Sequence, residues 1–311
     1  HGFHVLIMPS PLNWNFALAA SVSGYPGYTQ DDTKDLYSAM RFVLDDVKTS
    51  RHAEIGKIGM LGFSDGALYT GYTCKMDSEQ KQIGIDRYLL INPPLNLLDA
   101  AQKIDQMANE GKSYSNDKKF DLEAYAFGEG VEAMKNDIND STYFAGWDKR
   151  LGLNDQEIKY LIGKNMNDSV GDAVYVININ KNEKVSKTQL SWQFRSAKLK
   201  ESRSYGLMGY VEKFLIPSLQ KTDQKGIDIK TLGAVDSLRK IAPILQKNPA
   251  VFLMHNQDDI IVSKSDVAFL EKVFGDRATI YPYGGHLGNL WYPENKKHIL
   301  DVFKPLLQDV E

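Results

Sequence analysis

Three short stretches carry residue types that could do nucleophilic chemistry: Gly62-Phe63-Ser64-Asp65-Gly66, His255-Asn256-Gln257-Asp258-Asp259 and Gly284-Gly285-His286. A serine hydroxyl is a weak nucleophile at its own pKa. It needs a base within hydrogen-bond reach, and the base needs an acid that fixes its tautomer. The first stretch reads G-x-S-x-G, the pattern of a sharp strand-to-helix turn that strains its serine and exposes Oγ. Small residues two before and two after the serine are expected because neighbouring backbone passes close by. The Asp65 N–H, at the start of the following helix, is expected to point at an oxyanion forming beside Ser64. Taken alone, the pentapeptide also suits a phosphate-cradling loop or a plain chain turn, and the acid and histidine far down the chain favour the nucleophile.

Each of these residues needs an element to hold it. The apolar run Ile58 to Leu61 reads as a buried strand that breaks at Gly62, with a helix starting at Ala67. Val251-Phe252-Leu253-Met254 and Ala278 to Tyr283 read as strands that run into the acidic turn and the histidine turn. Ile85 to Asn92 is another strand, closed by Pro93-Pro94. Between them, Thr29 to Ser50 has helical periodicity in Leu36, Met40, Val43, Leu44 and Val47, with Thr29 and Asp32 at capping-box spacing. Ser263 and Asp266 cap a helix through Phe274, and Pro293 opens a last one. Strands alternating with helices imply a mostly parallel sheet flanked by helices. Ligands of such sheets bind beyond the C-terminal strand ends, where Ser64, Asp259 and His286 fall.

The chain resembles the α/β-hydrolase superfamily, through Gly62 to Gly66, the acidic turn His255 to Val262 and the turn Gly284-Gly285-His286. The order Ser, Asp, His is that superfamily's order. The resemblance covers about residues 1 to 95 and 248 to 311. It implies a catalytic set of Ser64, Asp259 and His286. Asp259 is preferred to Asp258 because the resembling pattern places the acid three residues before a valine, here Val262. The implied activity is hydrolysis of a carboxylic ester or thioester through an acyl-enzyme on Ser64. A serine peptidase or acyltransferase on the same residues, or a catalytically silent binding module of the same fold, are the rival readings.

Residues 95–247 are far too many for a structureless connection, since loops longer than roughly 15 residues are uncommon in compact domains. They are expected to form a mainly helical insertion, with helical patterns at 97–108, 122–134, 154–163, 205–219 and 235–245. Val174 to Asn180 alternates like a strand but follows a capping box at Ser169 and Asp172, and is read as helix. The organisation expected is therefore 1–94 and 248–311 as the two parts of an α/β core, with the insertion between them. In the resembling superfamily such an insertion caps the nucleophile. Tyr125, Phe127, Tyr143, Phe144, Trp147, Trp192, Phe194, Met208 and Tyr210 could line its pocket, although helices bury such side chains whatever their function.

The chain's opening, Gly2 to Ser10, reads as a strand, and Asn13 to Tyr28 as a loop or short helix at the site entrance. Against the resembling pattern, its separation from Ser64 fits the strand that follows the second oxyanion donor. The expectation is that further N-terminal strands and that donor lie upstream of His1. The alternative makes it the earlier strand, with the donor at Ser10 or Leu12, since Pro9 and Pro11 have no N–H.

Composition narrows the partners. The chain has 311 residues, a net charge of −3 and a sequence pI near 6.1, so no basic face for nucleic acid is implied. No apolar run is long enough to span a membrane. Asp31, Asp32, Asp35, Asp45 and Asp46 are read as a solvated helix face, and neither a metal nor a cofactor is expected. Cys74, the one cysteine, is read as a packed thiol. The partner expected is a small-molecule ester or acyl compound.

Overall fold

In a computed structural model, which describes residues 2–135, 152–181, 187–188, 192–222 and 224–307, four parallel strands form a sheet in the order β1 (Gly59–Phe63), β2 (Arg87–Ile91), β3 (Val251–Asn256), β4 (Ala278–Tyr281). Leu61 lies beside Leu89, Leu90 beside Leu253, and Met254 beside Thr279. β2 and β3 read as continuous apolar runs because both sheet faces are covered, as parallel sheets require. On one face Tyr88, Leu90, Val251 and Leu253 pack with Phe16 of α1 (Trp14–Ala19), Leu36 and Met40 of α2 (Thr29–Ser50) and Leu68 and Tyr69 of α3 (Asp65–Gln80). Cys74, fully buried on α3, belongs to this core, and burial pushes its thiol up to about 11. On the other face Leu89, Ile91 and Met254 meet Val302, Ile299 and Phe303 of the helix Pro293–Phe303.

Among the described residues, the connection from β2 to β3 is helical, as its patterns predict. It begins with α4 (Leu97–Asn109), capped by Asn96, whose side chain accepts the Asp99 N–H. α5 (Asn116–Lys135) follows, and then one long helix, Asp155–Lys181, which takes in residues 174–180. Its apolar centre gathers Val174, Ile177, Tyr210, Phe214 and Leu215, and it closes on Tyr25 and Tyr28 from the entrance segment. Tyr210 Oη donates to the Pro26 carbonyl at 2.6 Å. The helix predicted through 235–245 is broken: Ile229–Val235 ends at Asp236, and Ser237 caps a new helix, Leu238–Lys247.

Three expectations are corrected. The opening segment Gly2 to Ser10 is not a strand of this sheet. β1 pairs with β2 alone, Val5 and Ile7 are more than four-fifths exposed, and Pro9 and Pro11 lack N–H groups for a ladder. The α2 start is not a capping box: Tyr28 is the N-cap with no side-chain bond. Asp32 therefore does not belong to a solvated face. It is 2% exposed, and its carboxylate accepts Gly27 N–H at 2.7 Å and Tyr69 Oη–H at 2.9 Å.

Of the aromatic residues proposed for a pocket, Phe127, Phe194 and Tyr125 are exposed, Met208 packs beside the second core, and Tyr210 is core. Tyr143, Phe144 and Trp147 lie outside the described residues, as does the side chain of Trp192.

Candidate active site

Ser64 sits between β1 and α3 with φ 52° and ψ −120°, a left-handed conformation that ordinarily costs a non-glycine residue about 1–3 kcal/mol. The surrounding structure holds it there. Ser64 N–H donates to the Ile91 carbonyl at 3.0 Å, and the Ser64 carbonyl accepts Ala67 N–H at 3.0 Å. Gly62 is required for this turn: a Cβ there would lie 2.1 Å from the Gly66 carbonyl oxygen and 2.4 Å from Thr70 Oγ1. Gly66 is different, since a Cβ on it would meet nothing within 4 Å. The expectation that both flanking glycines answer a close approach thus holds for the first and fails for the second. The α3 backbone folds back over Gly62, whereas Gly66 faces open space.

The structure brings together Ser64, His286 and Asp259. His286 Nε2 is 2.8 Å from Ser64 Oγ, and its Nδ1 is 2.9 Å from Asp259 Oδ2. The His286 side chain is 7% exposed and that of Asp259 is fully buried. Burial alone would raise the Asp259 pKa. Donors from His286, Asn92 and Ile261, together with the His286 charge, outweigh it and hold the carboxyl below its ordinary range. Asp259 Oδ1 accepts the Ile261 N–H at 2.8 Å.

Asp258, the alternative acid, points elsewhere. Its exposed carboxylate accepts Gly285 N–H at 2.8 Å and Gly284 N–H at 3.2 Å, bracing the turn that carries His286. That turn runs through Gly284 at φ 147° and Gly285 at φ 55°, and a Cβ on Gly284 would lie 2.4 Å from Asn289 Cγ.

The Asp65 N–H opens α3, where first-turn N–H groups have no intrahelical partner. The Asp65 carboxylate accepts a short hydrogen bond from Ser10 Oγ. Burial pushes its pKa up, against the pull of the Ser10 hydroxyl, the Gly66 and Asp65 N–H groups and the nearby His286. The Leu12 N–H, the other oxyanion donor considered, donates to Ser10 Oγ at 3.1 Å. The Ser10 hydroxyl thus ties the entrance turn to the residue after the nucleophile.

Sequence reasoning missed a set of buried amides. Asn92, Asn256 and Asn289 are 1–4% exposed and bond to one another and to the acid and histidine turns. One signal was available: Asn92 and Asn256 stand at the C-terminal ends of adjacent apolar strands, level with Ser64, where an uncharged polar residue has no packing reason to be. His255, also at the end of β3, is fully buried, and burial lowers its pKa. Its Nε2 lies 3.4 Å from the Pro93 carbonyl, a structural contact. Among the described residues, no three His, Cys, Asp or Glu side chains gather so as to hold a metal ion, and no helix is long and apolar enough to cross a membrane.

Comparison with known proteins adds little to this geometry. No protein-family model matches the sequence, and no curated protein matches it significantly. Among solved structures, the chain is similar to a point mutant of the rice cell wall degrading esterase LipA from Xanthomonas oryzae, with a TM-score of 0.34 and 14% identity. The match covers 90% of this chain and 65% of that one, so the chain spans just under two thirds of the esterase's length.

Proposed function

We propose that this protein is a serine hydrolase of the α/β-hydrolase kind, cleaving a carboxylic ester or thioester through an acyl-enzyme on Ser64. The observation that carries the reading is the continuous contact from Ser64 Oγ through both nitrogens of His286 to a buried Asp259, with the serine held in a strained turn. In the first half-reaction Ser64 Oγ attacks the acyl carbon, and its proton passes to His286 Nε2. The imidazolium formed is stabilised by Asp259 through Nδ1, and it returns the proton to the leaving alcohol or thiol. Water then repeats the sequence on the acyl-enzyme. The Asp65 N–H is the oxyanion donor this geometry favours. Leu12 could serve only by giving up its bond to Ser10 Oγ. The helical insertion of residues 95–247 is read as a cap that selects the acyl or leaving group.

Labelling with a fluorophosphonate tests the reading, because the reagent modifies a serine only where a base activates it. The expected outcome is a single adduct on Ser64, lost in Ser64→Ala at unchanged thermal stability. Adduct formation on another serine moves the nucleophile away from Ser64, and no adduct on the folded wild-type chain favours a silent binding module; either result overturns the reading.

A further inference from the structure

The Oδ2 of the acid beyond β3 has a second donor that a serine–histidine–aspartate triad does not require. Asn92 Nδ2 lies 2.8 Å from Asp259 Oδ2, the same oxygen that His286 Nδ1 approaches at 2.9 Å. The direction of this bond follows from chemistry: an ionised carboxylate only accepts, so Asn92 must present its NH₂ group. Asn92 is 2% exposed and has φ 48°, a left-handed conformation that asparagine tolerates better than most residues.

Its placement links every part of the site. The Asn92 N–H donates to the Met254 carbonyl at 2.9 Å, and the carbonyl just before it, that of Ile91, receives the Ser64 N–H. On the far side Asn256 Nδ2 donates to the Gly285 carbonyl at 2.9 Å and to Asn289 Oδ1 at 2.9 Å. Asn289 Nδ2 returns a bond to Asn256 Oδ1 at 2.8 Å. One peptide and one side chain therefore brace the nucleophile and the acid together, and the neighbouring amides hold the histidine turn.

From this we infer that Asn92 is a positioning residue of the active site, which fixes Asp259 Oδ2 between two donors and so sets how strongly the acid holds the imidazolium. The inference rests on the serine-hydrolase reading above. A carboxylate oxygen shared between two donors is turned toward His286 and cannot rotate away from it. It also carries less free negative charge than one bonded to His286 alone. Removing Asn92 should slow the chemistry and favour the protonated imidazole in the resting site. Among the described residues, the other titratable groups facing His286 are Asp65 and His255, whose side-chain hydrogen bonds go to Ser10 and to the Asn256 and Pro93 backbone.

The test is the fluorophosphonate labelling rate of the full chain against pH, which needs no knowledge of the natural substrate. Asn92→Gly keeps the left-handed backbone and removes the donor. The expected result is a plateau rate about tenfold lower, in line with losing a hydrogen bond to a charged group, and an acid limb moved upward. Asn92→Ala also removes the donor and differs from the glycine variant only in backbone freedom, so it should show the same lower plateau and the same upward movement of the acid limb. Thermal unfolding is recorded for both, and if the glycine variant does not fold, the alanine variant decides. Folded variants that label at the wild-type rate with an unmoved acid limb overturn the inference and leave the serine-hydrolase reading intact. A wild-type chain that is not labelled at Ser64 overturns both.

Discussion

Two buried aspartates, at opposite ends of the same sheet, differ in what they hold. Asp77, near the end of α3, is 5% exposed and accepts from Ile85 N–H at 2.7 Å, Gly84 N–H at 3.1 Å, Ile83 N–H at 3.2 Å and Tyr88 Oη–H at 3.3 Å, with a short bond from Tyr37 Oη–H. Asp259, beyond the other end, accepts from His286, Asn92 and Ile261. Burial opposes ionisation at both, and donors overcome it at both, so each carboxyl lies below its ordinary range. A perturbed pKa therefore does not by itself locate a reactive site. Asp77 is held by backbone amides and phenols, which exchange no proton near neutral pH, and it fastens the turn into β2. Asp259 is held by an imidazole that also touches a hydroxyl. What distinguishes them is the partner that can change its protonation state.

Removing the charge at each end separates the two roles. Asp259→Asn should reduce fluorophosphonate labelling of Ser64, and turnover of any ester substrate, by about 10⁴-fold, because the amide favours the wrong imidazole tautomer. Unfolding temperature should move little. Asp258→Asn should lower the rate only severalfold, since that carboxylate braces the glycine turn without touching His286. A reversed ranking moves the acid role to Asp258 and breaks the comparison.

Asp77→Asn should do the opposite. It leaves an NH₂ group facing N–H donors, with an expected loss of about 2–3 kcal/mol, typical of a buried charged hydrogen-bond acceptor removed from its donors. Chemical denaturation measures this, and the fraction that remains folded should still label at the wild-type rate. The acid limb of stability follows from the sign of the shift. A carboxyl whose folded pKa is depressed contributes stability above its unfolded value near 4, and loses that contribution as pH falls through the folded value. Asp77→Asn should therefore be less sensitive than the wild type to acid as the pH falls below about 4. An equal sensitivity would mean that Asp77 is not the group that titrates.

The site end was more legible in the sequence than the rest, for a physical reason. Ser64 and His286 stand in turns a few residues long whose residue types are local signals, whereas Asp259 is separated from Asp258 only by the resemblance to a family pattern. α2 and the helix Lys264–Phe274 were equally plain, since helical periodicity and a Ser263 cap are local signals. The opening strand failed because a strand exists only with a partner, and nothing within Gly2 to Ser10 says whether β1 will pair with it. Asp32 failed for a related reason. Its spacing from Thr29 suits a cap, but packing against α3 buried it beside Tyr69. Asn92, Asn256 and Asn289 come from three separated parts of the chain and acquire their meaning only when β2 and β3 lie side by side.

A third buried aspartate sharpens the comparison from the other direction. Asp236 lies at the break between the helices Ile229–Val235 and Leu238–Lys247 and is 2% exposed. One oxygen accepts Thr29 N–H at 3.0 Å and Thr29 Oγ1–H at 2.7 Å, while Oδ1 has no hydrogen-bond partner among the described residues. Here burial wins. The bonds from Thr29 lower the pKa, but burial, aided by Asp31, pushes it up to about 7. The folded chain then holds a proton that the unfolded chain has released between about pH 4 and 7, so stability falls as pH rises through that window. Raising the pH from 6 to 8 should cost about 1 kcal/mol from this group, about 1–2 degrees in unfolding temperature. Asp236→Asn cannot ionise and should lack this component, so the difference between wild type and variant should change across that range. Parallel curves for the two proteins would show that Asp236 is ionised throughout, with solvent reaching Oδ1. That outcome would place it with Asp77 as an anion held by its donors.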